Sequence, residues 1–112
     1  MMSEFVRLIE FNGDEIRRGA VFRVRAVWPY ESAVDFLVFE TSDSSSSYGL
    51  MVSSGSKAGL TLVHLPKAAD CLTSPGLSTQ WVRKNWSDWI YPDCALGDVF
   101  ISNGYVAVPV LG

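Results

Sequence analysis

At 112 residues and 48% hydrophobic content, the chain has the length of one domain, residues 1–112, and enough apolar material for a core. Nine basic and twelve acidic residues leave a formal charge of −3. That balance argues against bulk nucleic acid or an anionic membrane as the main partner. No apolar run approaches the roughly 20 residues of a membrane span, and MMSEFVRLIEF lacks the basic start and apolar run of a signal peptide. A cytoplasmic protein is expected, with Cys71 and Cys94 as free thiols packed like small hydrophobes.

Residues 4–11 read as a first strand, followed by Asn12-Gly13, a dipeptide suited to a tight hairpin turn. Residues 20–28 give the cleanest alternation: Phe22, Val24, Ala26 and Trp28 point one way, and Val21, Arg23, Arg25 and Val27 the other. Pro29 ends this strand in a turn, Trp28-Pro29-Tyr30-Glu31. AVDFLVFET, residues 33–41, is apolar on both faces and predicts a central strand. Residues 42–47 are polar and low in complexity, and read as a mobile loop. Residues 48–54 and 60–65 predict a second hairpin around the turn at 55–59, and 66–76 is irregular.

The spacing then predicts a helix over residues 78–90. Val82, Trp86, Trp89 and Ile90 form one apolar stripe, Ser78 or Thr79 caps the start, and Pro92 stops it. Trp81, Asn85 and Asp88 form a second, mixed edge. Residues 98–102 and 105–110 flank Asn103-Gly104, a strong hairpin signal, with Pro109 near a strand end or sheet edge. The expected architecture is α+β, mainly β. It is a curved antiparallel sheet or small barrel of about six or seven strands, with one helix in the C-terminal half packed on it.

No catalytic, cofactor or metal set stands out. The single His64 shares strand parity with Leu60 and Leu62, which favours a half-buried structural role over a general base. One His and two distant Cys lack zinc-site spacing, and GSKAG at 55–59 reads as a hairpin turn rather than a phosphate cradle. Arg17, Arg18, Arg23 and Arg25 are balanced by nearby acids and read as a solvated strand face. Most aromatics must be core, Trp86 and Trp89 foremost. Trp28, Tyr30, Trp81 and Tyr91 sit at element ends or off the stripe, near Glu31, Asp88 or Asp93, a setting typical of interface anchors.

Four stretches carry a resemblance: RRGAVFRVRAVWPYESAVDFLVFE (17–40), YGLMVSSGSKAGLTLVHLP (48–66), STQWVRKNWSDWIYPDC (78–94) and DVFISNGYVAV (98–108). Their order resembles immunity protein family 45, a bacterial family. The resemblance implies a small protein without enzymatic activity, encoded beside a secreted polymorphic toxin, that binds this cognate toxin in the producing cell and blocks it. If the toxin is a basic nuclease, Glu31, Asp35, Asp88 and Asp93 form the natural electrostatic face, with Trp28, Tyr30, Trp81 and Tyr91 as anchor candidates. The rival reading is a small-molecule or peptide-binding β module with an aromatic-lined pocket under the Trp-rich helix. A third is an enzyme pairing His64 with Ser53 or Ser54. Oligomeric state is left open by the sequence.

Overall fold

The computed structural model describes residues 5–105. Among them the strands are β1 (Val6–Arg7), β2 (Glu15–Ile16), β3 (Val21–Arg25), β4 (Ala33–Glu40), β5 (Tyr48–Val52), β6 (Thr61–His64), β7 (Leu77–Ser78) and β8 (Phe100–Ser102). Six of them form one antiparallel sheet in the order β1-β8-β3-β4-β5-β6, while β2 and β7 pair separately. The mainly β architecture with a helix in the C-terminal half is as expected. The main sheet stays open and does not close into a barrel.

The doubly apolar run becomes β4, paired with β3 on one side and β5 on the other. Its alternation puts Val34, Phe36 and Val38 into the core. The register places Phe22 and Val52 beside Phe36, so neighbouring strands stack their largest apolar groups. Gly49 in β5 is forced by space: a Cβ there would lie 2.6 Å from the Phe39 ring and 2.9 Å from the Val63 carbonyl.

Helix α1 (Thr79–Asn85) begins at Ser78, whose Oγ accepts the Trp81 N–H at 3.2 Å. It then widens into a π turn over Trp86–Ile90, closed by the Tyr91 N–H on the Trp86 carbonyl at 3.0 Å. Tyr91 is extended and Pro92 follows. Val82, Trp86 and Ile90 are buried against the sheet. The Trp86 ring packs on Phe22 with centroids 5.3 Å apart, and Tyr91 packs on Phe36 at 5.8 Å. Burying an indole of this kind contributes about 4–6 kcal/mol before entropy is charged against it.

Trp89 departs from the expected stripe: it is 43% exposed. A turn closed from i to i+5 advances less per residue than an α-helix. Three residues after Trp86, the side chain therefore swings off the core face.

Several boundaries also differ. Only Val6–Arg7 of the first expected strand is extended, and a 3-10 turn over Leu8–Glu10 follows. The Arg83 guanidinium donates to the carbonyls of Leu8 (3.0 Å) and Phe11 (2.6 Å) and so ties this turn to the helix, while the Leu8 N–H still bonds Val99 O at 2.8 Å. Asn12-Gly13 therefore turns no hairpin: β1 pairs with β8 and β2 with β7. β3 ends at Arg25, so Trp28 lies beyond the strand and off its core face. The 42–47 loop is tied down by Thr41 N–H to Ser47 O, by the Asp43 carboxylate on Ser45, and by the buried Ser46 Oγ on Tyr48 O. Gly104 has a positive φ but Asn103 does not, so the pair does not make the two-residue turn that Asn-Gly signals; residues 106–110 of the expected last strand, with Pro109, lie outside the described residues.

Candidate functional site

After β3 the chain turns sharply. Ala26 N–H bonds Ser32 O at 2.9 Å and Tyr30 N–H bonds Val27 O at 3.0 Å. This turn lifts Trp28 to 89% exposure and leaves Val27 exposed beside it. Both flanks are anchored. The Val27 N–H donates to the Tyr91 hydroxyl at 3.0 Å, which sets the turn against the end of the helix. On the other side, the Glu31 carboxylate accepts from Ser56 N–H (3.1 Å) and Ser56 Oγ (2.9 Å). These hydrogen bonds, led by the Ser56 backbone N–H, hold Glu31 below the usual carboxylate range. A free-standing indole on a fixed turn is the kind of exposed aromatic that marks a contact surface.

The π turn adds a second exposed indole. Trp89 packs on the half-buried Trp81 with centroids 5.9 Å apart. Asp88 and Asp93 are exposed on either side of it, and neither joins an ion pair among the described residues. The charge of the chain is uneven here. Residues 1–84 hold nine acidic and nine basic side chains, whereas 85–112 hold three Asp and no Lys or Arg. The whole formal charge of −3 thus resides in the segment that carries Trp89.

The expected contact residues fall into two groups. Trp28, Glu31, Asp88 and Asp93 are exposed, and Tyr30 and Trp81 are half-buried. Asp35 and Tyr91 belong to the interior. Tyr91 is committed to Phe36, Tyr30 and Val27. Asp35 faces Arg23 across the β3–β4 ladder and accepts both guanidinium arms, at 2.8 and 2.9 Å. It also accepts the Tyr105 hydroxyl at 2.7 Å.

Burial alone would raise the Asp35 carboxyl. The Arg23 and Tyr105 hydrogen bonds, with the Arg23 charge, outweigh burial and hold it below its ordinary value. A depressed folded-state value stabilises the protein above the unfolded carboxylate range, and that stability is lost as pH falls through the folded value. Asp35→Asn should therefore cost about 2 kcal/mol at neutral pH, discounted because Arg23 is partly solvated. It should also flatten the loss of stability as pH falls below about 4. Urea midpoints measured across that range check both parts.

His64 is exposed, contrary to the half-buried role expected. Its ring edge meets Phe39, and Nδ1 lies 4.0 Å from Asp43. Across the ladder it faces Gly49; Ser53 lies four residues further along, roughly 13 Å away at about 3.4 Å per residue. The His64–Ser53–Ser54 set is thus not assembled. Ser53 instead meets the Tyr105 hydroxyl at 2.9 Å, and Ser54 Oγ accepts the Asp35 N–H. Among the described residues, no group of three or more His, Cys, Asp or Glu could hold a metal ion. Both cysteines are free. No helix of the described residues is long and apolar enough to cross a membrane. The space beneath the helix is filled by Trp86, Ile90 and Tyr91 against Phe22 and Phe36.

Sequence reasoning passed over Trp89 as a surface group, because the 3.6-residue period carries no sign of a π turn. No curated protein matches the chain, and no solved structure does. The model of the family described as immunity protein 45 matches residues 8–101. With that match spanning most of its length, the chain belongs to the immunity protein 45 family.

Proposed function

We propose that the chain binds and neutralises a cognate bacterial toxin inside the producing cell, by contact rather than by chemistry of its own. Membership in an immunity family supports a toxin as partner. The observation that carries the reading to a place on the molecule is Trp28, 89% exposed on a turn anchored at both flanks. An interface anchor needs this combination of large apolar area and little conformational freedom to lose.

The rest of the contact face in this reading is Trp89 with Trp81, Tyr30 at the base of the turn, and Glu31, Asp88 and Asp93 around them. A segment with three Asp and no basic residue suits a cationic partner surface, such as the substrate cleft of a nuclease. Asp35 and Tyr91 act in this reading as supports of the scaffold rather than as contacts. The filled space beneath the helix counts against the alternative of a pocket-binding β module.

The test is charge reversal. Asp88→Lys combined with Asp93→Lys should weaken the toxin complex about tenfold and reduce its sensitivity to salt, as read by calorimetry at two ionic strengths. Unchanged affinity in the double variant removes the carboxylates from the contact face.

A further inference from the structure

The two exposed indoles sit on different elements. Trp28 lies on the turn after β3, and Trp89 on the π turn that ends the helix. Tyr91 is engaged with both. Its backbone N–H closes the π turn on the Trp86 carbonyl at 3.0 Å. Its hydroxyl accepts the Val27 N–H at 3.0 Å, one residue before Trp28. Between these two bonds Tyr91 is buried, with its ring centroid 5.8 Å from Phe36 and 6.0 Å from Tyr30. Tyr30 and Phe36 also meet edge-on at 6.3 Å. Three mutually packed rings leave the phenol little freedom, so the place of its oxygen is fixed.

The ring packing and the hydroxyl have separate consequences. Phe at position 91 would pack equally well on Phe36 and Tyr30. The oxygen acts on the turn. Ala26 N–H on Ser32 O and Tyr30 N–H on Val27 O shape that turn but tie it to nothing beyond itself. Glu31 ties its far side to Ser56, and the Tyr91 hydroxyl ties its near side to the end of the helix. A hydrogen bond of ordinary net strength shifts a population about fivefold. A partner that needs both indoles at once binds the molecules in which the turn is docked, and its affinity scales with their fraction.

We propose that the Tyr91 hydroxyl is a positioning group: it locks the Trp28 turn to the π turn, so that Trp28 and Trp89 meet the toxin as one preformed surface. This role rests on the contact face proposed above, and Tyr91 acts in it through Val27 without touching the partner. Tyr91→Phe tests it, because the change deletes one oxygen and keeps the ring packing. Val27 is 51% exposed, so water takes over its N–H, and the Tm should fall by no more than about 5 °C. In the free variant the backbone order parameters of Val27 and Trp28 should drop below the rigid value of about 0.85, while those of β4 stay level. Calorimetric titration with the secreted protein encoded beside this chain completes the test. Tyr91→Phe should weaken the complex about fivefold in the wild-type background and less than about twofold in Trp28→Ala. An equal factor in both backgrounds, or no loss in either, overturns the positioning role and spares the contact face. A Trp28→Ala variant that binds as tightly as wild type overturns the face and the positioning role with it. If the wild-type protein forms no complex, the immunity reading is overturned as well.

Discussion

Trp86→Ala should lower the unfolding free energy by about 4 kcal/mol and the Tm by roughly 15 °C. The indole is fully buried where the π turn crosses the sheet, against Phe22 on β3. Its removal withdraws the largest buried side chain of the core and leaves a void that Phe22, Val82 and Ile90 cannot close without moving backbone. Trp86→Phe should cost much less, about 1 kcal/mol. It keeps most of the ring volume, and it deletes an indole N–H that has no hydrogen-bond partner among the described residues. Urea melts of the two variants separate packing from polarity. Equal losses would show that the site needs the indole itself and not its volume.

Trp28→Ala should behave in the opposite manner. The side chain is almost wholly solvated, so stability should change by no more than about 0.5 kcal/mol. Toxin affinity should nevertheless fall by at least about 2 kcal/mol, some thirtyfold in Kd. The contrast matters because an exposed indole has no role in holding this fold together. The turn beneath it is kept by Val27 N–H on Tyr91 Oη and by Ser56 on Glu31, neither of which involves the Trp28 ring. A loss of binding without a loss of stability therefore reports contact. Trp28→Phe should recover part of the affinity, since a smaller aromatic still fills some of the anchor's volume.

Sequence pattern was most informative where one periodicity held without interruption. The alternation around Phe22 and Val24 and the doubly apolar β4 run gave the centre of the sheet, because each side chain there has a single face to occupy. The Ser78 cap and the Val82–Trp86–Ile90 stripe gave the helix for the same reason. Misreadings arose where a long-range contact overrode the local signal. Arg83 bonds the Leu8 and Phe11 carbonyls from 72 or more residues away, across a 3-10 turn in a segment that reads locally as strand. The π turn rotates Trp89 outward although its spacing matches the stripe.

The candidate surface was legible only in part. Proximity of aromatic and acid along the chain selected Trp28, Tyr30, Glu31, Trp81, Asp88 and Asp93, which the fold leaves accessible at least in part. The same criterion selected Tyr91, and the expectation of a basic partner selected Asp35; the fold turns both inward, Asp35 first in chain order. The hairpin register could have warned of the first. Once β3 and β4 are paired, Arg23 and Asp35 stand opposite each other on one face, and a directly opposed Arg and Asp are more readily spent on each other than on a partner. Nothing comparable marks Tyr91, whose hydroxyl finds a backbone N–H 64 residues earlier in the chain.

Co-expression with the secreted protein encoded directly beside this chain, followed by affinity capture, tests the toxin-binding claim most directly. The account predicts a stable complex, survival of cells that die when the neighbour is expressed alone, and loss of both with Trp28→Ala in a protein that still folds. Death of the cells in the presence of abundant, folded wild-type protein, with no complex recovered, would contradict it.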